Sequence, residues 1–90
     1  MYAYIDGQVI GSRTALHDAL TLELSLPDWY GRNLDALYDC LTDLREETYL
    51  VVLHRTALAE NLGKSARALE RLLADAADEN PHLHLILPEE

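Results

Sequence analysis

Asp35, Asp39 and Asp43 recur every four residues, with Trp29 and Tyr30 shortly before them and Tyr38 between the first two. At about 100° per residue, that spacing places the three acids on one stripe of a helix. Leu34, Leu37, Leu41 and Leu44 form the opposite stripe. Like charges one turn apart destabilise a helix by roughly a few tenths of a kcal/mol per pair. A helix shaped only by folding would carry Lys or Arg at one of these positions. A merely solvated face would also have Lys, Ser or Gln where this chain has aromatic rings. Carboxylates beside aromatics make a surface suited to a cationic partner, through charge-assisted hydrogen bonds and ring contacts.

Other chemistries are less well supported. Paired carboxylates perform acid–base work in glycosidases, but an exposed helix in a chain of 90 residues leaves little room for a substrate cleft. No residue is assigned a catalytic role. Cys40 falls on the flank of the helix toward the core, with no His or other base nearby in sequence, and reads as an inert buried thiol. His82 and His84 project to one side of a strand, yet His-x-His without a third ligand does not make a zinc site. There is no Gly-rich phosphate loop. Neither a cofactor nor a metal is expected.

The charge balance narrows the partners further. Sixteen acids against seven bases give a formal net charge of −9. Nucleic acid and anionic membrane are both bound through cationic surface, so neither is expected as a direct partner. Residues 28–43 hold four Asp and one Arg, which concentrates the negative charge in the stretch singled out above. The composition, 49% hydrophobic and 26% charged, is that of a soluble globular chain. No apolar run approaches the roughly 18 residues that span a membrane, and the N-terminus lacks a signal-peptide pattern. The single cysteine makes no internal disulfide, which points to a reducing, cytoplasmic setting.

The elements that must position these residues follow from periodicity and punctuation. Tyr2 to Ile5 reads as a strand closed by the Asp6-Gly7 turn. Ser12 caps a helix to about Leu24, with Ala15, Leu16, Ala19, Leu20 and Leu24 as its apolar stripe, and Pro27 prevents its continuation. Asn33 caps the acidic helix, with Asp35 in the first turn where the helix dipole favours an acid. Tyr49 to Leu53 is an unbroken apolar run, as expected for a strand covered on both faces. Thr56 is placed as the cap of a short helix ending near Gly63, and Ser65 as the start of another that ends before Pro81. Leu83 to Leu87 is a last strand. The order β-α-α-β-α-α-β predicts an α/β fold: a three-stranded parallel sheet packed with about four helices, joined by right-handed crossovers. No repeat, linker or low-complexity tract divides residues 1–90, so one domain is expected.

The stretch Leu26-Pro27-Asp28-Trp29-Tyr30-Gly31-Arg32-Asn33-Leu34-Asp35-Ala36-Leu37-Tyr38-Asp39-Cys40-Leu41 resembles the signature of the barstar family, intracellular inhibitors of barnase-type ribonucleases. Length, acidity, element order and the final strand with Ile86-Leu87 agree, so the likeness covers the whole chain. Its specificity lies in residues 26–41. The resemblance implies that the second helix and the loop before it enter a nuclease site lined by Arg, Lys and His. Asp39 would stand where the scissile phosphate goes, accepting bonds from arginines. Asp35 would pair with another cationic residue at the mouth. Trp29 matches a family tyrosine that stacks on the catalytic histidine of the nuclease, and Tyr38 an aromatic position in the same interface. Gly31, Asn33 and Thr42 match rim positions, and Asp75 a glutamate aimed at the same cationic cluster. Two positions depart from the prototype, which has glycine and tryptophan where this chain has Asp43 and Leu44. Both leave inhibitor class intact and bear on the choice of target.

The resulting expectation is an immunity-type ribonuclease inhibitor, monomeric when free and forming a 1:1 complex with a cationic barnase-type nuclease. Its alternative is a module of the same fold that binds another basic protein. The candidate partner-binding set is Trp29, Tyr30, Gly31, Asn33, Asp35, Tyr38, Asp39, Thr42, Asp43 and Asp75. Within it, Trp29 has a second reading as a partly buried loop anchor, Tyr30 reads first as such an anchor, and Asp43 and Asp75 have a second reading as plain surface.

Overall fold

The computed structural model describes residues 1–89. Three strands, β1 (Tyr2–Asp6), β2 (Thr48–Leu53) and β3 (Leu83–Ile86), alternate with four helices, α1 (Arg13–Leu24), α2 (Leu34–Thr42), α3 (Arg55–Leu62) and α4 (Lys64–Glu79). The strands pair in parallel in the order β1-β2-β3, with Ala3 opposite Leu50 and Leu50 opposite Leu85. This is the α/β arrangement that the sequence pattern predicts.

One expectation about the sheet is corrected. β2 was expected to be covered on both faces, but the helices cover one. Strands laid down in the order 1-2-3, each joined to the next by a right-handed crossover, send every crossover to the same side. The covered face carries Ala3, Ile5, Leu50, Val52 and Leu83, all buried. The opposite face shows an aromatic row: Tyr4 stacks on Tyr2, Tyr2 on Tyr49, and Tyr49 on His84. Tyr2 and Tyr4 are about half exposed. Val51, in mid-face, is nonetheless buried, which explains why the β2 run has no polar alternation.

The helices stand on this sheet in two tiers. α1 packs on β1 and α4 on β3, while the main contact of α2 is with α4. Leu16, Leu20 and Leu24 of α1, Leu37 and Leu41 of α2, and Leu69, Leu73 and Ala76 of α4 join the sheet residues in one core. Deleting a side chain such as Leu41, which is fully buried, would cost about 2–5 kcal/mol.

Two helix starts follow the expected side-chain caps, one follows tertiary contact and one the backbone freedom of a glycine. The Ser12 hydroxyl accepts from the Ala15 amide at 3.1 Å. Asn33 does the same from Ala36 at 2.8 Å. α3, by contrast, is not capped at Thr56: its N-cap is His54, in a left-handed conformation (φ 54°), and Thr56 lies inside the first turn. His54 is held by Asp6, whose Oδ1 lies 2.8 Å from its Nδ1. Gly7 fits beneath this junction because a Cβ there would run into the His54 carbonyl and the Leu58 backbone. α4 likewise starts at Lys64 with Gly63 (φ 57°) as its cap, one residue before the expected Ser65. Gly63, lacking a Cβ, takes that positive φ without strain.

Candidate functional site

α2 is short, and its charge opposes its own dipole. Asp35 sits in the first turn, where an acid is favoured. Asp39 falls in the last turn, Asp43 is the C-cap, and no base offsets them there. Carboxylates at the negative end of a helix are unfavourable, typically by about 0.3–1 kcal/mol each at exposed positions. These acids therefore stand where folding alone would not put them. Asp43, as the C-cap, keeps a right-handed conformation (φ −95°) and ends the acidic stripe beside Asp39. Leu37 and Leu41 are fully buried beneath, with Leu34 and Leu44 half-buried at the margins.

Asp35 and Asp39 are exposed, and among the described residues neither has an ion-pair partner. Tyr38 between them is half-buried, packed on the core edge with one side toward solvent. Thr42 turns its hydroxyl inward, donating to the Tyr38 carbonyl at 2.9 Å. Asp39 stands on a ridge between two concavities. On one side a cleft of about 680 Å³ separates α2 from α4, where Arg67, Arg71, Leu72 and Asp75 line it opposite Asp35, Tyr38 and Asp39. On the other, a cleft of about 460 Å³ lies between α2 and the loop after α1, bordered by Leu26, Pro27, Trp29, Cys40 and Asp43.

That loop, residues 25–33, presents one ring and hides another. Trp29 is 79% exposed, an unusual state for the largest apolar side chain. Tyr30 is 6% exposed. Its hydroxyl meets His17 Nδ1 on α1 at 2.7 Å, so its side chain anchors the loop and does not lie at the surface. Burial pushes the Tyr30 phenol up to about 12, with Cys40 adding to the rise. Burial chiefly, with the Arg32 and Arg13 charges adding, holds His17 below its ordinary 6.5. Phenol and imidazole thus meet as a buried hydrogen-bonded pair, and burial disfavours the charged form of each. Burial first, then the charges of Asp39 and Asp43, raise the Cys40 thiol, the opposite of what activates a nucleophile.

Arg32 has a positive φ of 54° and reaches across to Asp18 at 2.7 Å and to the Thr14 carbonyl, tying the loop to α1 a second time. Gly31 lies against the helix start, where an added Cβ would press on Ala36 and Asn33 at 3.3 Å. The Asn33 amide donates to the Gly31 carbonyl at 3.2 Å while its oxygen caps α2. Gly31 and Asn33 thus fix the angle at which Trp29 meets α2. Asp75, exposed on α4, is brought to the same cleft as Asp35 and Asp39.

Several contributing residues escaped the sequence reading. Asn80, almost fully buried, donates to the carbonyls of Leu41 and Leu44 at 2.9 and 3.0 Å. It closes the end of α2 that carries Asp39. The Asn80-Pro81 pair signals a turn but not a partner 39 residues away. Glu47 lies 2.6 Å from His82 and 2.8 Å from His84, and these contacts hold its carboxyl below the ordinary range. No group of three or more His, Cys, Asp or Glu among the described residues is arranged to hold a metal ion. Among those residues, no helix is long and apolar enough to cross a membrane.

With this geometry in hand, the chain can be set beside known proteins. A family model described as Barstar (barnase inhibitor) matches residues 1–87. A curated relative from Bacillus subtilis (strain 168), named "Putative ribonuclease inhibitor YrdF", is 38% identical over 76 residues, covering 83% of this chain and 84% of the relative.

Proposed function

The chain belongs to the barstar family, and on that premise we propose that it inhibits a small basic ribonuclease of the barnase type by seating α2 and loop 25–33 in the enzyme's RNA-binding site. The observation that carries this reading is the unpaired, exposed pair Asp35 and Asp39 on a helix whose dipole disfavours the second of them. A nuclease must hold phosphates, so its site presents Arg, Lys and His. Asp39 takes the place of a phosphate and accepts their hydrogen bonds, with Asp35 at the mouth and Asp75 reaching in from α4. Trp29 covers a ring or an apolar wall beside the cations, and Tyr38 packs along the same edge. Gly31 and Asn33 shape the approach, Thr42 and Asp43 lie at the rim, and Tyr30 acts from within by anchoring the loop.

Such an inhibitor works as a monomer in a 1:1 complex, in the cytoplasm, guarding the cell against a nuclease of its own or a delivered one. It needs no cofactor and performs no catalysis. The test is to mix the purified protein with a panel of barnase-type ribonucleases and follow RNA cleavage. Near-stoichiometric loss of cleavage with at least one member is expected. Full cleavage by every member at equimolar protein would overturn the proposal and leave binding to a different basic protein as the reading.

A further inference from the structure

The α2–α4 cleft is not uniformly acidic. Arg67 and Arg71 project from α4 one helical turn apart, both exposed and both lining the cleft with Asp35 and Asp39. A like-charged pair at that spacing disfavours the helix, as the two acids disfavour α2. The molecule thus presents two self-repelling pairs of opposite sign on neighbouring helices. They do not neutralise one another: among the described residues, neither arginine has an ion-pair or hydrogen-bond partner for its side chain, whereas Arg32 does. Arg71 precedes Asp75 by four residues, the less favourable order for pairing within a helix. Among the described residues, nothing in the fold uses these two guanidinium groups.

We infer that Arg67 and Arg71 are specificity determinants that engage a pair of carboxylates on the rim of the target's binding site. This rests on the proposed function, because it concerns the partner that docks on Asp35 and Asp39. A target that is cationic throughout would bring like charge against α4 as it docked on α2, and such juxtaposition rejects a partner. A target with acids flanking its cationic centre meets both signs at once. The planar fork of arginine, matched to carboxylate oxygens and weakly hydrated, suits that contact better than lysine would. A charge-patterned cleft discriminates among basic nucleases that a plain acidic patch would accept alike.

The experiment uses a barnase-type ribonuclease that the wild-type protein inhibits. Dissociation constants are measured for wild type, Asp39→Ala, Arg67→Ala, Arg71→Ala and the Arg67→Glu/Arg71→Glu double variant, with thermal melts of each. Each alanine variant should bind about tenfold more weakly, and the double reversal about a hundredfold or more, with melting unchanged. The loss should be smaller for panel members that wild type inhibits poorly. Arginine variants that bind as well as wild type or better, while Asp39→Ala fails, would overturn the inference and leave the proposed function standing. If Asp39→Ala also binds normally, the docking face itself is wrong and both fall.

Discussion

At the scale of single residues, the candidate site is made by side chains that work against the stability of the helix carrying them. Asp39 repels Asp35 and Asp43 and opposes the α2 dipole, and it has no compensating ion pair among the described residues. Asp39→Ala should therefore leave the melting temperature unchanged or slightly higher, since alanine also has the higher helix propensity. The same change should weaken inhibition by about 2–5 kcal/mol or more, the general cost of truncating one partner of a buried charge pair, and close charge pairs in the prototype complex of this family couple by about 1.5–7 kcal/mol. Asp43→Ala, at the C-cap and rim, should cost little affinity. Melts and inhibition curves for both variants check this together. Equal losses would mean that Asp39 has no privileged position.

A second residue-scale expectation concerns pH. Burial, with the Arg32 and Arg13 charges adding, holds the folded-state value of His17 below the 6.5 of an exposed imidazole. Below that pH the unfolded chain takes up a proton that the folded chain resists. The stability it contributes is present above about pH 6.5 and is lost as pH falls toward the lower folded value. Urea midpoints between pH 8 and 5 should fall more steeply for wild type than for His17→Gln. Parallel slopes would show that the His17–Tyr30 contact does not depend on a neutral ring.

At the scale of elements, two asparagines hold α2 at its ends. Asn33 caps the start and Asn80 closes the finish. Asn33→Ala should cost about 1 kcal/mol. Asn80→Ala leaves two carbonyls short of a donor, and buried groups so treated cost about 1–3 kcal/mol. Denaturant titration measures both. Hydrogen exchange should show opening of the turn nearest the lost cap, at Asp35 for the first and Asp39 for the second. Uniform destabilisation without a local change would contradict this division.

These two caps also mark how far sequence reasoning reaches. Asn33 was legible because a cap bonds its own helix three residues on. Asn80 was not, because its acceptors lie on another element. The same rule sorts the rest. Element order, the leucine stripe and the acid stripe come from local periodicity, and the structure bears out the fold class they predict. His54 displaces Thr56 as a cap because the β1 turn packs under it. Tyr30 turns inward because His17 waits on another helix. The one-sided sheet follows from strand order, which no local pattern encodes. Arg67 and Arg71 gain meaning only when α4 comes to lie beside α2.

At the scale of the whole molecule, an excess of nine negative charges surrounds an exposed ridge of acids and aromatic rings on α2 and the loop before it. Such a field draws a basic partner toward the acidic side before contact, an effect for which complexes of this family are themselves the standard case. The central claim is that this ridge fills the place of RNA in the nuclease, so occupancy by the protein and by nucleotide must exclude one another. The direct measurement is the association rate of the protein with an inhibited barnase-type ribonuclease as a mononucleotide is titrated into the enzyme. The rate should fall in proportion to the fraction of enzyme carrying nucleotide, approaching zero at saturation. A rate that stays constant while the nucleotide saturates the site would place the contact elsewhere on the nuclease and contradict the account.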